Sequence, residues 1–356
     1  MSRSRRVLRR PTFGRLALGL LVLAVLTGAG RSVWSEATEP PDHDDASART
    51  QWPPTHAPSR PASSPASPGP TRNVWAGILP GDTSPTVARD PTYVYVPNGR
   101  PGTVEVIDPR TGRLRRIIHG VDHPYNLYFT PDGSSAIDVA EYENQLRFLD
   151  PRTMRVRKVV PMPCSGPDHL DFSAAGTDLL LGCEFDGTLV EVDWRRMRVV
   201  RTAHVGGLPV DVKLSPDGTT FYVANQGTGG VSLVDAATLR VVTFLKTGRG
   251  AHGMAVSRDT TKLYVTNRLA GTISVIDFAR RTVVATWPVG GSPDMVQISP
   301  DGRELWESNR YGTTVTVVDT ANGHVLKQIE VGPDPHGLAY FPQPGHFSLG
   351  HNGVYR

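Results

Sequence analysis

Residues 262–277 read KLYVTNRLAGTISVID, two β-rich segments joined by a polar loop. Lys262–Asn267 is rich in Leu, Tyr, Val and Thr. Thr272–Asp277 alternates apolar and polar side chains with the period of two that marks a half-buried strand. The second segment ends in an Asp, and that Asp recurs. Asp108 closes VEVID, Asp150 LRFLD, Asp193 LVEVD, Asp235 VSLVD, Asp277 ISVID and Asp319 VTVVD, at intervals of 42, 43, 42, 42 and 42 residues. A second landmark keeps the same register. It runs through Thr130–Gly133 (TPDG), Ser173–Gly176 (SAAG), Ser215–Gly218 (SPDG), Ser257–Thr260 (SRDT) and Ser299–Gly302 (SPDG). Two unrelated landmarks held in one register define a true internal repeat.

Each unit reads as four short strands. In SPDG the Pro presets φ, the Asp bonds to the backbone and the Gly accepts φ > 0, so a tight turn follows the first strand. The Asp that ends the third strand is placed to accept backbone N–H bonds in the next hairpin. Four strands in about 42 residues make one propeller blade, a twisted sheet that packs face to face with its neighbours around a channel.

Tyr264–Asn267 is an intact YVTN motif. It recurs as Tyr95–Asn98 (YVPN), Tyr222–Asn225 (YVAN) and Trp306–Asn309 (WESN). The chain from about Arg72 to the C-terminus resembles the YVTN-repeat β-propellers, which include YncE-like proteins. That resemblance implies an all-β, seven-bladed β-propeller. Six Asp landmarks give six units and a seventh starts at Pro335–Gly345. Arg72–Gly81 (RNVWAGILPG) resembles the fourth-strand segment Arg281–Gly290 (RTVVATWPVG), so the expectation is that an N-terminal strand completes the last blade.

The segments before the repeat have their own composition. Residues 1–37 hold seven Arg against the single acid Glu36, and Leu16–Gly30 is a continuous apolar run. At 15 residues it is short for a membrane-spanning helix and suits a signal peptide or signal anchor, with small residues for cleavage after Ala29 or Ala37. Its basic flank should remain in the cytoplasm and send the remainder across the membrane. Residues 38–71 are a Pro-, Ser- and Ala-rich stretch with few aliphatic side chains, expected to be a disordered linker. Residues 72–356 form the propeller domain. The formal charge of +4 belongs to the leader, because residues 38–356 carry a net of −2. Nucleic-acid binding is therefore disfavoured, and no basic stripe interleaved with aromatics supports it. The membrane enters only through the N-terminal segment. A monomer is expected, meeting an unidentified small molecule or a protein partner in the cell envelope.

Candidate site residues come from the connection entering each innermost strand, which opens on the channel mouth. In register these are Tyr125-Asn126, Asp168-His169, Val210-Asp211, His252-Gly253, Asp294-Met295 and His336-Gly337. Imidazole and carboxylate suit a divalent metal or a polar ligand, and Asp294 with His252 or His336 is the best local metal cluster. Polar residues at strand starts also simply satisfy backbone groups and line a wet pore. Asn98, Asn225, Asn267 and Asn309, which end four of the second strands, read as turn caps, and Arg268 and Arg310 directly follow two of them, placed to attract an anion. The two cysteines flank one hairpin, whose turn at Ser173–Gly176 brings Cys164 and Cys183 to the same end. A disulfide is expected in an exported protein.

The chain has no GxxxxGK[ST] loop, HExxH, GxSxG elbow, CxxCH or EF-hand loop. The leading expectation is an exported binding module without enzymatic activity. The alternative is a lactonase- or lyase-like enzyme at the channel mouth, with a metal polarising a carbonyl and His252 or His336 as general base.

Overall fold

A computed structural model describes residues 73–99, 101–120 and 127–345, and the account below concerns these residues. Their strands form six four-stranded antiparallel sheets. Taken from the channel outward, the third blade shows the pattern: Pro167–Phe172, Asp178–Cys183, Thr188–Asp193, Arg198–His204. The second blade runs from Leu127–Phe129 to Val156–Pro161, the fourth from Pro209–Leu214 to Val241–Lys246, the fifth from Ala251–Val256 to Thr282–Pro288 and the sixth from Pro293–Ile298 to Val325–Glu330.

The first blade joins the two ends of the repeat. Its outer three strands, Tyr93–Asn98, Thr103–Asp108 and Arg113–His119, come from the N-terminal side, and its innermost strand is Ala339–Phe341. Tyr93 pairs with Phe341 and Tyr95 with Ala339, and a bridge from Asn98 to Pro335 extends the match. This corrects two expectations. The disc has six blades instead of seven, and no N-terminal strand completes the last blade. The six Asp landmarks already count every blade, and the half-unit at Pro335–Gly345 is the missing first strand of the opening unit. Residues 73–81 differ from their look-alike in burial period. Thr282–Pro288 alternates exposed and half-buried residues as an edge strand does. Trp75 and Ile78 are buried three residues apart around the 3-10 turn Ala76–Ile78, a helical spacing.

The hairpins explain the Asp landmark. Backbone N–H groups of Arg110, Arg152, Arg196, Thr238, Arg280 and Ala321 donate to Asp108, Asp150, Asp193, Asp235, Asp277 and Asp319. Four residues after each Asp the backbone enters the left-handed region, at Gly112, Met154, Met197, Leu239, Arg281 and Gly323. In the chain's one SRDT turn, Thr260 adopts φ 60° where the other copies place Gly.

Apolar clusters fill the seams between blades. Leu146, Phe148, Leu170 and Leu181 join blades two and three, and Val94, Trp306, Val317 and Tyr340 join six to one. Blades one and two each hold a further small cluster of their own, around Val104 and around Ala136. Cys164 and Cys183 are disulfide-bonded, as the hairpin geometry predicts.

One end of the channel is covered. Trp75 Nε1 donates to Leu214 O at 2.7 Å, where an innermost strand ends. Arg258 is buried beside it and donates to Ile78 O, Pro344 O, Gln343 Oε1, Ile298 O and Ser299 O. The segments flanking the repeat thus close over this end, and Arg258 ties both to the sixth blade.

Candidate functional site

The opposite end is built from two loop columns. The first is the start of each innermost strand. Here Asp294, wholly buried, is the centre. Arg268 donates to Asp294 Oδ1 through Nε at 2.8 Å and through Nη2, and Nη2 also meets His252 Nε2. His252 Nδ1 stands 3.4 Å from Asp294 Oδ1, and His336 Nδ1 stands 2.9 Å from Asp294 Oδ2. Burial works against the charge of Arg268, but Asp294, Tyr311 and Glu184 outweigh it and hold the guanidinium more firmly protonated. Burial, then Arg310 and Arg268, push the His336 imidazole well below its ordinary range, so it is neutral.

His169 joins from the third blade. Its Nδ1 lies 3.1 Å from Tyr128 Oη, its Nε2 lies 3.3 Å from Asp168 Oδ1, and its ring meets that of His252 edge-on at 6.0 Å. The structure thus brings Asp168, His169, His252, Asp294, His336 and Arg268 to one mouth. Asp211 serves the frame instead. Its carboxylate accepts from Val212 N, Met254 N and the buried Lys213 Nζ, stitching the innermost strands of blades four and five. Asp171 does the same between blades three and four through Leu214 N. Asn126 lies outside the described residues.

The Asn column caps turns. Asn225 Oδ1 accepts from Leu208 N and Thr228 N, and Asn309 Oδ1 accepts from Ser292 N. The residue after this position, which is Asn in four blades, Ala140 in the second and Cys183 in the third, forms the second mouth column: Gly99, Glu141, Glu184, Gln226, Arg268 and Arg310. Arg310 Nη1 donates to Asp334 Oδ1 at 2.6 Å. Gly99 gives that pair room, since a Cβ there would lie 2.5 Å from Asp334 Oδ2. Gln226 Nε2 donates to Glu184 Oε1 at 3.2 Å. Burial and the neighbouring Glu184 carboxylate raise the pKa of Glu141, against the pull of Arg310 and Arg268. These charges therefore act on one shared space.

Sequence reasoning singled out Arg268 and Arg310 and missed Glu141, Glu184 and Gln226. The repeat held the signal, because the five positions are spaced 43, 42, 42 and 42 residues apart. It also missed Glu307, which is fully buried beside Asn309 and Thr316; burial raises its carboxyl to about 8 despite hydrogen bonds from both, and Asp294 adds to the rise.

Asp294 with the two histidines does not fit a divalent metal. Arg268 occupies the carboxylate, and a guanidinium repels a second cation. Among the described residues no group of three or more His, Cys, Asp or Glu side chains is arranged to hold one.

A family model described as a YNCE-like beta-propeller matches residues 63–343. A search of curated proteins finds no match. Among solved structures the chain is similar to Kuenenia stuttgartiensis hydrazine synthase, with 18% identity and a TM-score of 0.53 over 67% of this chain and 87% of that one. It is also similar to a Bacteroides uniformis protein titled a "putative 6-phosphogluconolactonase", with 14% identity and a TM-score of 0.53 over 71% of this chain and all of that one. At such identities the likeness is one of fold.

Proposed function

This chain belongs to the YNCE-like β-propeller family, and from that premise we propose that it is an extracytoplasmic binding module whose channel mouth holds a small polar ligand. The observation that carries the reading is the asymmetry of the channel. Trp75, Ile78, Gln343 and Arg258 cover one end. The other end gathers Glu141, Glu184, Gln226, Arg268 and Arg310 above a floor of Asp294 and histidines. Small-molecule sites use a few convergent polar groups on a rigid frame, and the mouth supplies such groups.

The Cys164–Cys183 disulfide and the Arg-rich, apolar leader of residues 1–37 both fit a location outside the cytoplasmic membrane. The lactonase-titled neighbour supports no activity here, since its likeness is of fold alone.

A thermal-shift panel of small organic cations, anions and zwitterions tests the reading. At least one should raise the melting temperature of the native protein, and Glu184→Gln or Arg310→Gln should abolish that rise. The reading fails if no compound shifts the protein, or if the shift survives both substitutions.

A further inference from the structure

The second mouth column has an order that a binding site alone does not require. Glu141 and Glu184 stand on blades two and three, Gln226 on blade four, and Arg268 and Arg310 on blades five and six. In a six-bladed ring, blade two faces blade five and blade three faces blade six. Each acid therefore looks across the mouth at an arginine. The arginines spend their bonds on neighbours from their own side, Asp294 and Asp334, leaving Arg268 Nη1 and Arg310 Nη2 without a hydrogen-bond partner among the described residues. On the acidic side, Gln226 directs its Nε2 to Glu184, and its buried Oε1 has no hydrogen-bond partner among the described residues. One half of the mouth thus offers acceptors and the other half donors.

A rim borders this ring, one residue further along four of the loops. Tyr142, Phe185, Leu269 and Tyr311 are 59%, 47%, 38% and 50% exposed. Four large apolar side chains in one repeat register, all open to solvent and all bordering a charged mouth, form a surface suited to an apolar body.

We infer that the mouth takes a zwitterion whose charges stand at opposite ends of the molecule, its ammonium on Glu141, Glu184 and Gln226 Oε1, its carboxylate on Arg268 and Arg310, and its body along the apolar rim. This rests on the binding-module reading and specifies its ligand. A single cation leaves the arginine donors unused, and a single anion leaves the two adjacent glutamates facing each other. An ammonium between those glutamates relieves their repulsion, and a carboxylate receives charge-assisted bonds from planar guanidinium forks. Because the acids and the arginines stand on facing blades, the mouth favours a molecule with its charges separated along its length over an α-amino acid, whose charges are adjacent. A short peptide with free termini and an ω-amino acid share the required chemistry.

Isothermal titration of the full-length protein separates these cases. The probes are trialanine, 6-aminohexanoate, glycine, N-acetyl-trialanine and trialanine amide. Trialanine or 6-aminohexanoate should bind at least tenfold more tightly than glycine and than either capped peptide, and the tighter of the two identifies peptide or ω-amino acid. Glu184→Gln should weaken trialanine while leaving N-acetyl-trialanine unchanged, and Arg310→Gln should weaken trialanine while leaving the amide unchanged. Unaltered melting of both variants shows that the mouth alone has changed. Equal affinity for free and capped peptides, or no binding of either zwitterion, overturns the inference. If a singly charged probe binds and loses affinity on mouth substitution, the zwitterion inference falls while the binding module stands. If neither these probes nor the wider thermal-shift panel binds, both fall.

Discussion

Arg258→Met should unlock the covered end of the channel. Arg258 is 3% exposed and makes five hydrogen bonds, at 2.9 Å to Gln343 Oε1, 3.1 Å to Ile298 O and to Ser299 O, 3.3 Å to Pro344 O and 3.4 Å to Ile78 O. Charge-assisted bonds contribute roughly 1.5 kcal/mol each at the low end of their range. Burial opposes them, lowering the guanidinium pKa from 12.5 to about 10, a penalty of about 3 kcal/mol. The net contribution is about 4 kcal/mol, and removing the side chain also leaves buried carbonyls without donors. A domain of this size loses about 2–3 °C of melting temperature per kcal/mol, so calorimetry at neutral pH should show a fall of about 8–12 °C. Hydrogen exchange should quicken at Trp75–Ile78 and at Gln343, the segments Arg258 holds. Arg258→Lys should fall between, because one ammonium cannot span the five acceptors. A fall under about 3 °C, with unchanged exchange at both segments, would refute the reasoning.

Three further outcomes follow from the same structure. Folding raises the Glu307 carboxyl from 4.5 to about 8, so the native protein should lose stability as pH rises through that interval, by about 1.4 kcal/mol per unit; Glu307→Gln should melt higher than native at pH 8 and no higher at pH 5, and equal differences at both pH values would disprove the assignment. Reducing the Cys164–Cys183 bond should lower stability by about 3 kcal/mol for a loop of this length, read as a lower melting temperature with reductant; alkylation without reductant should label no thiol. Deleting residues 335–356 strips the first blade of its innermost strand and should abolish cooperative melting, whereas a truncation that melts like the intact chain would mean the ring closes some other way.

The blade repeat was legible because its signals are local. The Asp that bonds its own hairpin and the SPDG turn recur wherever a blade recurs, so fold class and register could be read from one chain. Blade number was not legible, because closure is a long-range event. Tyr93–Asn98 pairs with Ala339–Phe341 across the whole domain, and the half-unit at the C-terminus looks the same whether it starts a seventh blade or supplies the first with a strand. The segment around Trp75 misled for a related reason. Its composition matches a strand, and only the burial of Trp75 and Ile78 under the disc reveals its period. At the mouth, histidines and aspartates attracted notice as potential ligands. Arg268 reached the Asp294 carboxylate first, a competition that sequence spacing does not display. Glu141, Glu184 and Gln226 escaped because the Asn landmark before them is lost at two of the three blades, where Ala140 and Cys183 stand instead.

A crystal structure of the protein with the tightest-binding compound from the zwitterion set tests the central claim most directly. The account predicts ligand density across the mouth, its amino end beside Glu184 and Gln226 and its acidic end beside Arg310. Density beneath the disc near Trp75, along the outer strands, or in the mouth with its ends reversed would contradict it.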